Sequence, residues 1–160
     1  MAKGSFELIG GGLTYHFVDY GSAKNFSHKI SPEGKLIGNL VYGFGITIYG
    51  SKNKNYYALR GFQGENSIAK PINGAIATFG THSRNVEFGV VWGAYVQNEY
   101  DFRGTGVVPY SVGQGSNSIV PIIGVELNFK IFLKGALFTK FINVVTPIIT
   151  NHSLSLGLDF

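Results

Sequence analysis

The stretch Ser153–Phe160, SLSLGLDF, alternates without a fault: Leu154, Leu156, Leu158 and Phe160 fall on every second residue, with Ser153, Ser155, Gly157 and Asp159 between them. A period of two marks a β-strand whose two faces meet different surroundings. The pattern recurs upstream. In Val86–Gln97, the residues Val86, Phe88, Val90, Trp92, Ala94 and Val96 share one face, opposite Glu87, Gly89, Gly93, Tyr95 and Gln97. In Leu36–Tyr49, the face of Leu36, Leu40, Tyr42, Phe44, Ile46 and Ile48 opposes Asn39, Gly43, Gly45 and Thr47. In a further segment Ile119, Pro121, Ile123, Val125 and Leu127 oppose Gly124, Glu126 and Asn128. The first segment, Phe6–Val18, reads with Ile9, Leu13, Tyr15 and Phe17 against Gly10, Gly12, Thr14 and His16. Weaker strands are expected over Tyr56–Phe62 and Ile72–Thr81, with ambiguous faces, and another over Ala136–Val145. Helical periodicity is almost absent.

Composition says what the two faces meet. Charged residues make up 14% of the 160, against roughly 25% in ordinary soluble domains, which is too few to hydrate an exterior of this size. There are 23 Gly, 13 Phe and 9 Tyr. Aromatics favour pleated surfaces, and Gly suits bends and crowded positions. The bulky face is consistently one-sided, and the opposite face is small or polar. A soluble sandwich would hide the large residues and expose Lys or Glu. Here the small face suits the narrow lumen of an eight-stranded barrel, and the large face suits lipid.

The connections agree. Asp19–Lys35 is long, GSKNKN (Gly50–Asn55) tight, Gln63–Pro71 medium, GTHSRN (Gly80–Asn85) tight, Asp101–Ser118 long and Gly-rich, Lys134-Gly135 tight and Thr146–His152 medium. Alternating short turns and longer loops are the pattern of an even-numbered up-and-down outer-membrane barrel. Ten residues rising about 3.3 Å each, tilted by about 40°, span roughly 25 Å, the height of the apolar band of such barrels. Closure also removes the open sheet edges that hydrocarbon does not tolerate. The expectation is a single domain over residues 1–160, an all-β, eight-stranded antiparallel transmembrane β-barrel with both termini periplasmic. An ordinary half-buried last strand would show the same alternation as SLSLGLDF, which also resembles the C-terminal signature read by the assembly machinery of bacterial outer-membrane barrels.

Other classes are disfavoured. There is no Cys, so thiol chemistry is excluded and redox does not assign a compartment. No run of about 18 apolar residues indicates a membrane helix. MAKGSF carries no apolar segment of signal-peptide type, so the chain is either cytosolic or a mature form given a new start, and only the second suits a barrel of the bacterial outer membrane. The net charge of +4 is scattered through turns and loops, which argues against nucleic-acid binding. His16, His28, His82 and His152 are not spaced as metal ligands, and no cofactor fingerprint is present.

Some residues carry possible chemistry. His16 points into the barrel by parity, near the rim with long loops. There it acts as a general base if a hydroxyl approaches, or as a polar lumen residue bonded across the barrel. Glu65 and Ser67 lie two apart in FQGENSIAKP (Phe62–Pro71). Arg60, Glu87, Glu126 and Lys140 are expected to form ion pairs in the lumen. GGG at Gly10–Gly12 leaves room there or lets the strand curve. Tyr15, Tyr42, Tyr49, Tyr57 and Trp92 are candidates for aromatic girdles at the membrane interfaces.

Three stretches resemble the PagP-type lipid A palmitoyltransferases, small eight-stranded outer-membrane barrels: LTYHF (Leu13–Phe17), GFGITIYGSKNKNYYALRGFQGENSIAKP (Gly43–Pro71) and VPIIGVELNF (Val120–Phe129). The resemblance implies acyl transfer from phospholipid to lipid A, with His16 matching the family histidine and Glu65 and Ser67 as helpers. The family has an adjacent Asp-Ser pair where this chain reads Gly64-Glu65, with Ser67 two further on, and it has an N-terminal helix not found here. It further implies that Pro121 and Pro147 open a lateral path for lipid, and that the lumen takes an acyl chain or detergent. Phospholipid and lipopolysaccharide are the implied partners of a monomer without cofactor or metal. The other reading is a non-enzymatic barrel acting in surface binding, adhesion or host interaction through Asp19–Lys35 and Asp101–Ser118.

Overall fold

The computed structural model describes residues 3–16, 36–38, 41–51, 54–65, 71–98, 117–147 and 149–160. Their strands are β1 (Lys3–His16), β2 (Leu36–Gly38), β3 (Val41–Tyr49), β4 (Asn55–Glu65), β5 (Pro71–His82), β6 (Val86–Asn98), β7 (Asn117–Lys134), β8 (Leu137–Val145) and β9 (Ile149–Asp159). All pairings are antiparallel, and every strand from β3 to β9 pairs with the next. β2 and β3 lie end to end against β1, opposite Leu13–Tyr15 and Lys3–Gly10 respectively, so they share one position in the wall. β9 returns to β1 along Ser5–His16. The sheet is therefore a closed barrel of eight wall positions.

The ends meet in register. Gly4 N–H donates to Phe160 O at 2.9 Å, and Phe160 N–H donates to Gly4 O at 2.8 Å. The Phe160 ring lies over Gly4, where an added Cβ would come within 2.8 Å of it. The terminal aromatic thus completes the seam between first and last strands, with the ring standing in for the side chain that Gly4 lacks.

Short turns gather at one rim, at residues 50–54, 83–85 and 135–136, together with Lys3 and Phe160. They are tight: Gly50 N–H donates to Asn55 O at 2.7 Å, and Lys54 and Gly135 take positive φ of 51° and 58°. Residues 17–35, 66–70, 99–116 and 146–148 connect strands at the other rim.

The two faces are inverted relative to a soluble protein. Phe44, Ile46, Phe88, Trp92, Ile123, Leu154, Leu156 and Leu158 all point outward, each about half exposed. Ser5, Glu7, Thr47, Arg60, Glu87, Glu126, Asn128, Lys130 and Lys140 are buried inside. Faces left ambiguous by the sequence resolve. β4 turns Tyr56, Ala58 and Arg60 inward, and Tyr57 and Leu59 outward; β5 turns Ile72 and Thr78 inward, and Phe79 outward. Both strands carry apolar residues on each face, which hides the alternation.

The first strand corrects one expectation. Ile9 does not share the outward face with Leu13. Before Gly10 the inward residues are Ser5 and Glu7, while after Gly12 the inward residue is Thr14. Against β9 the register slips between Gly10 and Leu13, and Gly11 takes φ of 70°. An extra residue in one strand is a β-bulge, and glycine is the residue that takes the left-handed conformation without strain. GGG therefore bends the strand and exchanges its faces. A second shift separates Phe132 from Lys134 on β7.

Candidate functional site

The lumen fills from the side chains upward. Strands β1, β3, β4, β5, β6, β7 and β8 each send at least one polar group to a common centre: Glu7, Thr47, Arg60 with Tyr56, Thr78, Glu87, Glu126 with Asn128, and Lys140. Arg60 donates from Nη1 to Glu126 Oε2 at 2.7 Å and from Nη2 to Glu126 Oε1 at 3.4 Å, a two-pronged pair. Tyr56 OH and Asn128 Nδ2 donate to the same Oε1 at 2.7 and 2.9 Å. Glu87 accepts from Tyr49 OH at 2.6 Å and from Asn128 Nδ2 at 3.1 Å, and lies 3.0 Å from Lys140 Nζ. Lys140 also pairs with Glu7, which accepts from Thr47 Oγ1 at 2.9 Å. Arg60 Nε stands 3.7 Å from Glu7 Oε2, linking the two halves.

Charges this deeply buried persist only when paired and hydrogen-bonded, because the cost of leaving water is several kcal/mol per ion. Three carboxylates face two cations here, and the hydroxyls and Asn128 supply the missing donors. Glycines make the crossings possible. A Cβ on Gly45 would come within 2.9 Å of Arg60 Cγ, and one on Gly89 within 2.8 Å of Tyr56 OH. Long side chains reach across the lumen over bare backbone.

The two ends differ. Toward the long-loop rim Ile72, Val91, Val120 and Ile142 are buried, together with Thr14, which accepts from Asn151 Nδ2 at 3.5 Å. Phe62 lies across Gly74, whose added Cβ would stand 2.6 Å from Phe62 Cζ. Toward the short-turn rim, Lys130 pairs with Asp159, and its ammonium lies 3.9 Å from the centre of the Phe138 ring and about 5 Å from those of Phe132 and Tyr49. Such ring faces attract a cation electrostatically. The Phe138 ring fills the space over Gly157, where an added Cβ would stand 2.2 Å from its Cζ.

A polar cluster stands on the outward face at β8 and β9. His152 Nδ1 is 2.8 Å from Asn143 Oδ1, its Nε2 is 3.1 Å from Thr150 Oγ1, and its ring stacks on Phe141. Asn143 Nδ2 also donates to Leu127 O at 2.7 Å. The trio satisfies itself, as polar groups must on an apolar face.

The shape has relatives among solved structures. The N-terminal β-barrel domain of OprF from Pseudomonas aeruginosa aligns over 98% of this chain and 97% of that one, with 15% identity and a TM-score of 0.45. Ail, the attachment invasion locus protein of Yersinia pestis, solved with the heparin analogue sucrose octasulfate, aligns over the whole of both chains with 11% identity and a TM-score of 0.42. No family model and no curated protein sequence matches the chain, so the likeness to PagP-type enzymes stands on the quoted stretches alone.

The expected catalytic residues fall on the long-loop rim. His16 ends β1, in register with Ile149 of β9, and its side chain lies outside the described residues. Glu65 ends β4, exposed and opposite Pro71. β1 and β4 are separated by the wall position of β2 and β3. Ser67 lies outside the described residues, as do most of the two long loops.

The expected lumenal ions, Arg60, Glu87, Glu126 and Lys140, do meet. Glu7, Lys130 and Asp159 were missed. Glu7 is hidden by the bulge, which misassigns its face. Lys130 lies beyond the expected end of its strand, although Phe129, Ile131 and Leu133 continue the outward alternation there. Tyr49 is not a girdle residue: it turns inward to Glu87, while Tyr42, Tyr57 and Trp92 do face outward. Tyr15's side chain lies outside the described residues.

Proposed function

We propose that this chain is an integral β-barrel of a bacterial outer membrane, and that its wall is a rigid, non-catalytic frame presenting the long loops for surface binding, adhesion or host interaction. The location of charge carries the reading. Among the described residues, Glu7, Arg60, Glu87, Glu126, Lys130, Lys140 and Asp159 are inside the barrel, and Lys3, Lys54, Glu65, Arg84 and Lys134 stand at its rims. None stands on the outer wall between the rims, where large apolar side chains such as Phe44, Leu59, Phe88, Ile123 and Leu154 are exposed. Hydrocarbon solvates such a wall and water does not. Phospholipid and lipopolysaccharide are its standing partners. The lumenal ions are spent on one another, which suits a plug that stiffens the wall, and the lumen of an eight-stranded barrel is narrow enough for side chains to fill.

Residues 17–35 and 99–116 lie outside the described residues and join strands that end at the same rim. The test replaces residues 19–35 and 101–118 by short Gly-Ser turns in the barrel displayed on bacteria. Adhesion to host cells is expected to disappear with lipid A composition unchanged. Adhesion that survives both replacements defeats the reading.

A second reading, acyl transfer to lipid A, is favoured by one feature. Among the described residues, β7 has no β8 partner before Val125, and Pro121 lies in that unpaired stretch, which is where lipid would enter on this reading. His16 would serve as base, with Glu65 and Ser67 as helpers. Thin-layer chromatography of radiolabelled lipid A decides it. Transfer by the refolded protein that disappears in His16→Ala supports this reading; no transfer, or unchanged transfer in the variant, defeats it.

A further inference from the structure

The short-turn rim carries one sign of charge. Lys3 opens β1, Lys54 lies in the turn from β3 to β4, Arg84 lies in the turn from β5 to β6, and Lys134 closes β7. All four are exposed. Among the described residues none of them has a carboxylate partner. The turns themselves, GSKNKN (Gly50–Asn55), Ser83–Asn85 and Gly135-Ala136, contain no Asp or Glu. Asp159, the acidic residue at this end of the barrel, is held by Lys130. Arg84 is steadied by an aromatic face, its guanidinium 5.9 Å from the centre of the Phe132 ring. In the closed wall the four cations follow one another at intervals of about two strands, roughly 10 Å at the usual strand separation, so they encircle the rim.

That spacing narrows the partner. Cations so far apart do not converge on one small anion; each meets an anion of its own. An acidic protein docked beneath the rim would meet the same charges, and the outer wall chooses between it and lipid. Tyr57, Phe79, Phe88 and Phe129 stand three to five residues from the turn cations. All four face outward and are exposed, and the rings of Tyr57 and Phe79 lie 5.0 Å apart. Aromatic girdles mark the level at which a barrel wall leaves the hydrocarbon. Lys and Arg just beyond that level extend their apolar stems along the wall and hold their charge among the headgroups. We propose that the short-turn rim is a cationic collar that selects anionic phospholipids, those with a net negative headgroup, in the leaflet on that side of the membrane. The inference rests on the membrane reading above and names the lipid class within it. Each cation is expected to favour an anionic over a zwitterionic neighbour by about fivefold at low salt.

The test refolds the full chain into phosphatidylcholine vesicles and adds phosphatidylglycerol or phosphatidylcholine carrying a nitroxide on its acyl chain. Electron spin resonance reads the fraction of each probe held motionally restricted against the wall. Phosphatidylglycerol is expected to be enriched about twofold or more, the other leaflet diluting the local preference, and the enrichment should disappear at about 1 M salt. Combining Lys3→Gln, Lys54→Gln, Arg84→Gln and Lys134→Gln should bring the two probes level. A charge-matched variant, Lys24→Gln, Lys29→Gln, Lys35→Gln and Lys70→Gln in the connections of the other rim, should keep the enrichment. The four collar residues are exposed, and unchanged Trp92 emission in phosphatidylcholine verifies that the variant folds. Equal restriction of the two probes in the parent, or equal losses in the two variants, overturns the collar while the membrane reading stands, and leaves an acidic soluble partner as the claimant on these charges. A chain whose Trp92 stays open to aqueous iodide has not entered the bilayer, which overturns the membrane reading and the collar with it.

Discussion

Arg60 lies at the crossing of the lumenal network, and replacing it by Met removes its charge while keeping most of its volume. Glu126 then loses its two-pronged partner at 2.7 and 3.4 Å, and Glu7 loses the cation at 3.7 Å. Three buried carboxylates are left with Lys140 as their one buried cation. Removing one member of a buried pair typically costs about 3–5 kcal/mol, because the other stays charged without compensation. Tyr56 and Asn128 still donate to Glu126, which places the expected loss near the lower end, about 3 kcal/mol. Converting Glu126 to Leu in the same chain removes the stranded charge. The double variant should regain part of the loss and finish about 1–2 kcal/mol below the parent, held down by the Tyr56 hydroxyl left without its acceptor. Urea titration in lipid vesicles, read by the single Trp92, measures each stability, and the double-mutant cycle gives the coupling. A single variant within about 0.5 kcal/mol of the parent refutes the claim that this network holds the wall together. So does a double variant no more stable than the single.

The glycine sockets give a paired comparison. Gly157→Ala places a Cβ 2.2 Å from the buried Phe138 ring and should cost about 1–3 kcal/mol by overpacking, whereas Gly10→Ala meets open space and should leave the urea midpoint unchanged. On the outer wall, Leu154→Arg in the middle of β9 should lose about 2–4 kcal/mol in vesicles, while Lys54→Gln in its exposed turn is expected to be neutral. At the bulge, Gly11→Val forces a β-branched residue to φ of 70°; a loss of about 1–3 kcal/mol is expected, checked by the same titration.

The sequence revealed the wall more readily than the site. Where one face is uniformly bulky, as in Val86–Gln97 and the last eight residues, parity alone assigns inside and outside, because each face has a single solvent to match. β4 and β5 resisted, since Ala58 and Ile72 are apolar residues that face inward. Glu7 was lost for another reason. A bulge has no signature in alternation; it only breaks it, and GGG was the one hint that the count of two fails there. Tyr49 shows the limit for aromatics, because its ring suits a membrane interface and a lumen equally, and only Glu87 at 2.6 Å distinguishes them. The chemistry expected at His16, Glu65 and Ser67 depends on loop positions that periodicity does not address.

The most direct measurement of the inside-out wall needs no mutation. Trp92, the single tryptophan, is 49% exposed on the outer face between Val90 and Ala94. The protein is refolded into vesicles whose acyl chains carry bromine, and its fluorescence is compared with that in ordinary lipid. The account predicts strong quenching by the brominated chains and little by aqueous iodide. Emission that iodide quenches and brominated lipid leaves untouched would contradict it.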